Sequence, residues 1–126
     1  MNISIISKSI NENAKSKGFW DEDYNLSEKL MLVVSEIAEA QEADRKERFA
    51  NLNESQISVL KGWVQDDDFF IREFTNKVKD TFEDEMADAV IRILDLCYHR
   101  GIDLESHIEL KMRYNSLRPY KHGKKY

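Results

Sequence analysis

Apolar side chains recur every three or four residues along four stretches of the chain, and this spacing indicates amphipathic α-helices. The predicted helices cover about residues 3–17 and about 81–99, and two further stretches that begin after a capping residue. One begins after Asn25 or Ser27, either of which could be its N-cap, and continues to about residue 48. The other begins after Asp103 and continues to about residue 117. Only four glycines and one proline interrupt the chain, which favours long helices over a turn-rich β fold. The pattern therefore predicts an all-α protein, and the length of 126 residues suits one domain with one core.

The two central helices each combine an apolar stripe with a pair of acidic residues three positions apart. The stripes expected to face the core consist of Leu26, Leu30, Val33, Val34, Ile37 and Ala40 in one helix, and of Phe82, Met86, Ala89, Val90, Ile93 and Cys97 in the other. Residues at i and i+3 lie about 60° apart on a helix, so each acidic pair shares one face. Both helices are apolar around most of their circumference, which predicts that the acidic pairs lie close to packed surface.

The acidic pairs, Glu36 with Glu39 and Glu85 with Asp88, are candidate metal ligands. Carboxylates near a protein interior are costly unless they are paired or bind a cation. Four carboxylates from neighbouring helices supply the hard oxygen ligands that Mg²⁺ or Mn²⁺ prefers. The alternative from the residues alone is a solvated face with ion pairs, for example between Arg92 and Asp88 at i and i+4.

A basic segment follows the acidic body of the chain. Residues 111–126 contain six basic residues and no acid, whereas the whole chain carries a net charge of −5. Lys111, Asn115 and Arg118 share one helical face and could contact phosphate oxygens. Basic residues also favour helix C-termini through the helix dipole, so both interpretations stay open. Trp20 could stack on a base, although such aromatic residues more often belong to a core.

Composition and charge indicate which partners and which cellular compartment to expect for the protein. The acidic body argues against a nucleic-acid polymer as a partner. The single cysteine, Cys97, cannot form an internal disulfide, and no apolar run reaches membrane-spanning length. These features predict a cytoplasmic protein without a membrane partner.

Three motifs in order resemble one family. Glu36-Ile37-Ala38-Glu39 followed by Glu85-Met86-Ala87-Asp88 resembles the E-x-x-E and E-x-x-D signature of the MazG-like, all-α nucleoside triphosphate pyrophosphohydrolases. The segment from Lys111 through Asn115 to Arg118-Pro119 is similar to the phosphate-contacting segment of that family. The resemblance spans about residues 20–48 and 80–126. Ser35 departs from the pattern, because the first acidic motif of the family often begins with two adjacent glutamates.

The resemblance implies an antiparallel bundle of four main helices that assembles into homodimers or homotetramers. It implies Mg²⁺-dependent cleavage of a nucleoside triphosphate to the monophosphate and pyrophosphate, as in removing non-standard or surplus nucleotides. The metal ligands would be Glu36, Glu39, Glu85 and Asp88, with Glu36 activating the water. The triphosphate contacts would be Lys111, Asn115 and Arg118. Residues 1–126 would form one MazG-like domain, with an insertion at about 49–80.

The sequence leaves two alternative functions open. One is a base-specific relative, acting on dUTP, dCTP or phosphoribosyl-ATP. The other is a helical interaction protein whose acidic pairs only form ion pairs. Metal-dependent pyrophosphate release separates the enzymes from the interaction protein, and a substrate panel separates the enzymes from one another.

Overall fold

The computed structural model describes residues 2–62 and 66–125, and every regular element in these ranges is helical. The helices are α1 (Ile3–Ser16), α2 (Leu26–Arg45), α3 (Glu54–Lys61), α4 (Asp67–Lys77), α5 (Phe82–His99) and α6 (Leu104–Ser116), followed by a 3₁₀ helix at Tyr120–Gly123. The prediction of an all-α protein is confirmed, and the four predicted helices correspond to α1, α2, α5 and α6. No helix in the described ranges is both long and apolar enough to cross a membrane.

Side chains immediately before the helices fix where several of them begin. Asn25 accepts a hydrogen bond from the Glu28 N–H, and Asp103 accepts one from the Ser106 N–H. These oxygens satisfy backbone donors that have no partner inside the helix. Asn25, rather than Ser27, is therefore the N-cap of α2.

Two compact units make up the chain: residues 25–92 form one, and residues 1–24 with 93–126 form the other. In the second of these, the Glu105 carboxylate accepts hydrogen bonds from the Ile3 N–H and the Ser4 hydroxyl, both at 3.0 Å. Asn11 is fully buried on α1 and donates to Asp95 of α5 at 2.8 Å. Long-range polar contacts thus join α1 to both α5 and α6.

In the unit of residues 25–92, the end of α2 meets the start of α5. The Phe82 N–H donates to the Arg48 carbonyl at 2.9 Å, and the Ala50 N–H donates to Glu83 Oε2 at 2.8 Å. Further along, Arg92 of α5 reaches back to Glu36 of α2. The C-terminal end of α2 therefore lies beside the N-terminal end of α5, and a residue nearer the start of α2 contacts one further along α5. The two helices run antiparallel.

The buried side of α2 differs from the predicted one. The structure buries Ala40, Ala43 and Glu36, whereas most large residues of the predicted stripe are exposed. Those exposed residues are Leu26, Leu30, Val34 and Ile37. In α5, Ala89 is buried as predicted, but Val90 is half exposed. The pattern misidentified the buried side because α2 is apolar around most of its circumference, so hydrophobicity alone does not select one face.

Candidate metal centre

Three acidic side chains converge between α2 and α5. Glu36, Glu39 and Glu85 each present a carboxylate oxygen, and these oxygens lie within 4.8 Å of one another. Glu36 and Glu85 are buried, at 8% and 6% exposure, whereas Glu39 is exposed. Two buried carboxylates beside an exposed third form a cluster that opens to solvent on one side. We call these three residues the acidic triad.

Arg92 forms the only ion pair of the acidic triad within the described part of the chain. Its Nε lies 2.9 Å from Glu36 Oε1. The sequence allowed a local pair between Arg92 and Asp88, one helical turn apart, but Arg92 instead pairs with Glu36 of α2. Burial by itself would raise the pKa of Glu36, but the hydrogen bond and charge of Arg92 outweigh it and lower that pKa. Glu36 is therefore a carboxylate at neutral pH.

The pKa of Glu85 is shifted in the opposite direction to that of Glu36. Burial raises the pKa of its carboxyl to about 8, and hydrogen bonds and repulsion from Glu36 and Glu39 act in the same direction. Adjacent carboxylates cannot all ionise in a desolvated space without a balancing positive charge. Without a cation, the acidic triad accordingly keeps one proton at neutral pH, held by Glu85.

Asp88 lies one turn beyond Glu85 on α5 and is half-buried. Burial raises its pKa, and the charges of Asp84 and Glu36 raise it further. Its oxygens are not part of the acidic triad. A second group within the described residues joins Glu85 to Asp80 and Asp84, again with oxygens within 4.8 Å. Asp80 and Asp84 are not among the ligands predicted from the sequence, although three consecutive acidic residues at the start of α5 indicate a strong local negative charge.

The geometry of the acidic triad suits a divalent cation. Oxygen ligands of Mg²⁺ lie about 2.1 Å from the ion, and neighbouring ligands are therefore about 3–4 Å apart. The three oxygens lie within 4.8 Å of one another, which is close to that spacing. A cation would also supply the positive charge that Glu85 now obtains from a proton. Glu36, Glu39 and Glu85 are thus the residues that fit a metal ion, and Asp88 is near enough to respond to their charge.

The candidate phosphate contacts belong to the compact unit of residues 1–24 and 93–126, whereas the acidic triad belongs to the unit of residues 25–92. Lys111 and Asn115 are exposed on α6, and Arg118 follows the helix and is half-buried. Both cations lie over the ring of Tyr114, the Lys111 Nζ at 4.9 Å and the Arg118 Cζ at 5.5 Å from its centroid. Lys111 and Arg118 are therefore both close to Tyr114. The sequence analysis missed this tyrosine.

Trp20 is fixed by contacts on its edge and on one face. Its indole N–H donates to both carboxylate oxygens of Asp95 at 3.1 Å, and its ring stacks on His99 with centroids 3.7 Å apart. Tyr24 packs edge-on against both rings. These contacts give Trp20 a structural role, which the sequence analysis weighed as the more frequent one for such a residue.

No protein-family model, curated protein or solved structure matches this chain. The acidic triad and the ordered motifs of the sequence are therefore the features that point to a function.

Proposed function

We propose that this chain is a Mg²⁺-dependent nucleoside triphosphate pyrophosphohydrolase that cleaves a (d)NTP to the (d)NMP and pyrophosphate. The observation that carries the proposal is the acidic triad, in which two buried carboxylates and one exposed carboxylate from two helices meet within 4.8 Å. Their motifs also stand in the order of the MazG-like family. Mg²⁺, or Mn²⁺ in its place, would be held by Glu36, Glu39 and Glu85, with Asp88 as a fourth ligand.

Each acidic residue has a distinct part in this proposal. The bound metal would neutralise phosphate charge and lower the pKa of an attacking water. Glu36 stays ionised beside Arg92, which suits a ligand and a group that orients water. Its lowered pKa also makes it a weaker base than an ordinary glutamate. Glu39 faces solvent and is the ligand that an incoming substrate meets first.

The remaining parts of the proposal concern the substrate and the assembly. Lys111, Asn115 and Arg118 would contact the triphosphate. The chain would assemble into homodimers or homotetramers built on a bundle of four main helices. A role in removing non-standard or surplus nucleotides completes the hypothesis.

The test is pyrophosphate release from a panel of NTPs and dNTPs, with Mg²⁺ and with EDTA. We expect release from at least one nucleotide in Mg²⁺ and none in EDTA, and the preferred nucleotide identifies the base. Glu39→Gln should reduce the rate at least ~100-fold, because it removes a charged ligand at the metal. Glu42→Gln is the matched control, since Glu42 lies one turn along α2 and, among the described residues, its ion pairs are with exposed Lys46 and Arg45. Equal activity of the two variants would exclude the acidic triad as the site.

The contact between Arg92 and Glu36 favours a second candidate, a helical interaction protein in which the acidic residues serve only as structural ion pairs. This candidate predicts no pyrophosphate release and no effect of Mg²⁺ on thermal stability. A binding site for the ion would raise thermal stability by mass action. Thermal unfolding with and without Mg²⁺ therefore separates the two candidates without any assumption about the substrate.

A further inference from the structure

The described part of segment 49–80 contains two helices, α3 and α4, with a pocket between them. The helices contact each other and border an open pocket of about 230 Å³. Its apolar lining consists of Leu52, Val59, Leu60 and Phe69. A protein cavity of about 150 Å³ with an apolar lining is enough to hold benzene. This pocket, which we call the α3–α4 pocket, therefore has room for a planar heterocyclic ring.

One end of the α3–α4 pocket is held beside the start of α5, the helix that carries Glu85. The Ala50 N–H donates to Glu83 Oε2 at 2.8 Å. Leu52 follows Ala50 by two residues, so their Cα atoms are at most about 8 Å apart. Glu85 follows Glu83 by two residues on α5, and all of these residues belong to the compact unit of residues 25–92. The pocket and the acidic triad are therefore linked through the first turn of α5.

The polar side chains that line the pocket offer hydrogen-bond donors. Gln56 Oε1 accepts the Asn53 N–H at 2.9 Å in the capping box of α3, which leaves the Gln56 NH₂ group to donate to a ligand. Lys77 adds a second donor group at the end of α4, where its ammonium pairs with Glu73 at 2.7 Å. Uracil, thymine and guanine carry ring carbonyl oxygens that accept from such donors, whereas adenine carries none.

We propose that the α3–α4 pocket binds the base of the nucleotide substrate and that Gln56 donates a hydrogen bond to a carbonyl oxygen of that base. The inference rests on the proposed function, in which the phosphates are held at the acidic triad and the base extends away from them. Small-molecule sites combine a mostly apolar lining with a few polar groups that fix orientation and provide specificity. The pocket matches this composition, and its donors select carbonyl-bearing bases over adenine.

Titration of the full chain with uridine in EDTA, followed by ¹H–¹⁵N NMR, measures base binding without metal, phosphate or catalysis. Uridine should shift the amide signals of Val59 and Phe69, and adenosine should bind at least ~10-fold more weakly. Gln56→Glu keeps an oxygen for the Asn53 N–H, because glutamate forms the same capping box, but removes the NH₂ donor. This variant should bind uridine at least ~10-fold more weakly. Gln41→Glu, the same change on an exposed residue of α2, is the matched control and should bind like the wild type.

A second variant fills the pocket and is measured by pyrophosphate release from UTP in Mg²⁺. Val59 is 53% exposed, so Val59→Trp should place its indole in the pocket without disturbing the fold, as far-UV circular dichroism checks. We expect KM to rise at least ~10-fold, with a smaller change in kcat, because the pocket binds the base and not the reacting phosphates. Ile71→Trp is the control, since Ile71 is 60% exposed on α4 and does not line the pocket.

The two measurements separate the base pocket from the reaction. Uridine shifts confined to other helices, or equal uridine affinity in Gln56→Glu and Gln41→Glu, would overturn the proposal. Pyrophosphate release with an unchanged KM in Val59→Trp would overturn it as well and leave the proposed reaction standing. Uridine binding at α3 and α4 by a protein that releases no pyrophosphate from any nucleotide would support the pocket as a base site and refute the reaction.

Discussion

Burial and ion pairing give different properties to acidic residues that look equivalent in the sequence. Glu36 and Glu85 are both buried, but only Glu36 has an arginine beside it. The pKa of Glu36 is consequently lowered, whereas burial raises that of Glu85 to about 8. Glu39 forms the exposed edge of the same cluster. Each of these differences can be tested by substituting a single residue.

The raised pKa of Glu85 predicts that the metal-free protein loses stability as pH increases. The folded state holds the Glu85 proton up to a pH of about 8, whereas the unfolded chain releases it near pH 4.3. The free energy of unfolding is therefore greatest below about pH 4.3 and decreases between that value and pH about 8, by on the order of 5 kcal/mol. Urea unfolding in EDTA between pH 5 and 9 measures the slope.

Glu85→Gln is the control for this prediction, because glutamine resembles the protonated carboxyl and does not titrate. The variant should match the wild type at pH 5 and lose the Glu85 part of the slope. An unchanged slope in Glu85→Gln would assign the pH dependence to other groups.

Arg92 balances the charge of Glu36, so its removal should leave a buried carboxylate without a counter-charge. We expect Arg92→Met to reduce the free energy of unfolding by about 1–3 kcal/mol, less than for a fully buried pair because the Arg92 side chain is 41% exposed. Lys46→Met removes an exposed ion pair with Glu42 and should cost less than ~0.5 kcal/mol. Equal losses in the two variants, measured by urea unfolding at pH 7, would contradict a balancing role for Arg92.

At the scale of elements, three helices end with the same backbone hydrogen bonds. After α1, α2 and α5, the chain turns through a residue with positive φ, and the following N–H donates back to a carbonyl in the last turn. Gly18 and Gly101 occupy this position in two of the helices, and Glu47 occupies it in α2 with a φ of 56°. Glycine adopts this conformation without the steric cost that other residues incur.

Glu47→Gly should therefore stabilise the protein by about 0.5–1 kcal/mol, because relief of the left-handed strain exceeds the extra entropy of glycine in the unfolded chain. The reverse change, Gly101→Ala, should cost about 0.5–1 kcal/mol for the same reason. A Cβ at Gly101 would meet no atom within 4 Å, so this variant measures backbone strain without a steric clash. Thermal unfolding of both variants checks the pair, and a destabilised Glu47→Gly would show that the glutamate side chain contributes more than its backbone costs.

At the scale of the whole molecule, charge is distributed unevenly along the chain. All six basic residues after position 110 lie in or beyond α6, which leaves the preceding residues strongly acidic. An acidic body with a cluster of close carboxylates attracts cations, and the proposed function requires that one of them bind in the acidic triad. Such binding must change the protonation of the cluster.

Binding of Mg²⁺ or Mn²⁺ should release about one proton at pH 7, because the ion replaces the proton that Glu85 holds. The affinity should rise with pH up to about 8 and then level off. Titration calorimetry in two buffers with different ionisation enthalpies measures the released proton. Glu85→Gln should bind the ion more weakly and release no proton, whereas binding without proton release by the wild type would place the ion elsewhere.

Local chemistry explains why much of the fold could be predicted from the sequence. Asn25, Asp103, Gly18 and Gly101 act within a few residues of their own position, so they mark helix ends without any tertiary contact. The spacing of Glu36 with Glu39 likewise follows from helical rotation alone. The all-α class, the four main helices and the positions of the acidic pairs could therefore be predicted.

Only the tertiary structure decided which sides of those helices are buried and which charges meet. α2 is apolar around most of its circumference, so periodicity allowed several buried sides, and folding buried the side of Ala40 and Glu36. Arg92 could satisfy its charge locally with Asp88, but the antiparallel placement of α2 brought Glu36 within 2.9 Å. The sequence by itself determined the helices and the spacing of the carboxylates because both depend on local rotation. The pairing of Arg92, the proton on Glu85 and the exposed face of α2 depend on residues far apart in the chain, which only folding brings together.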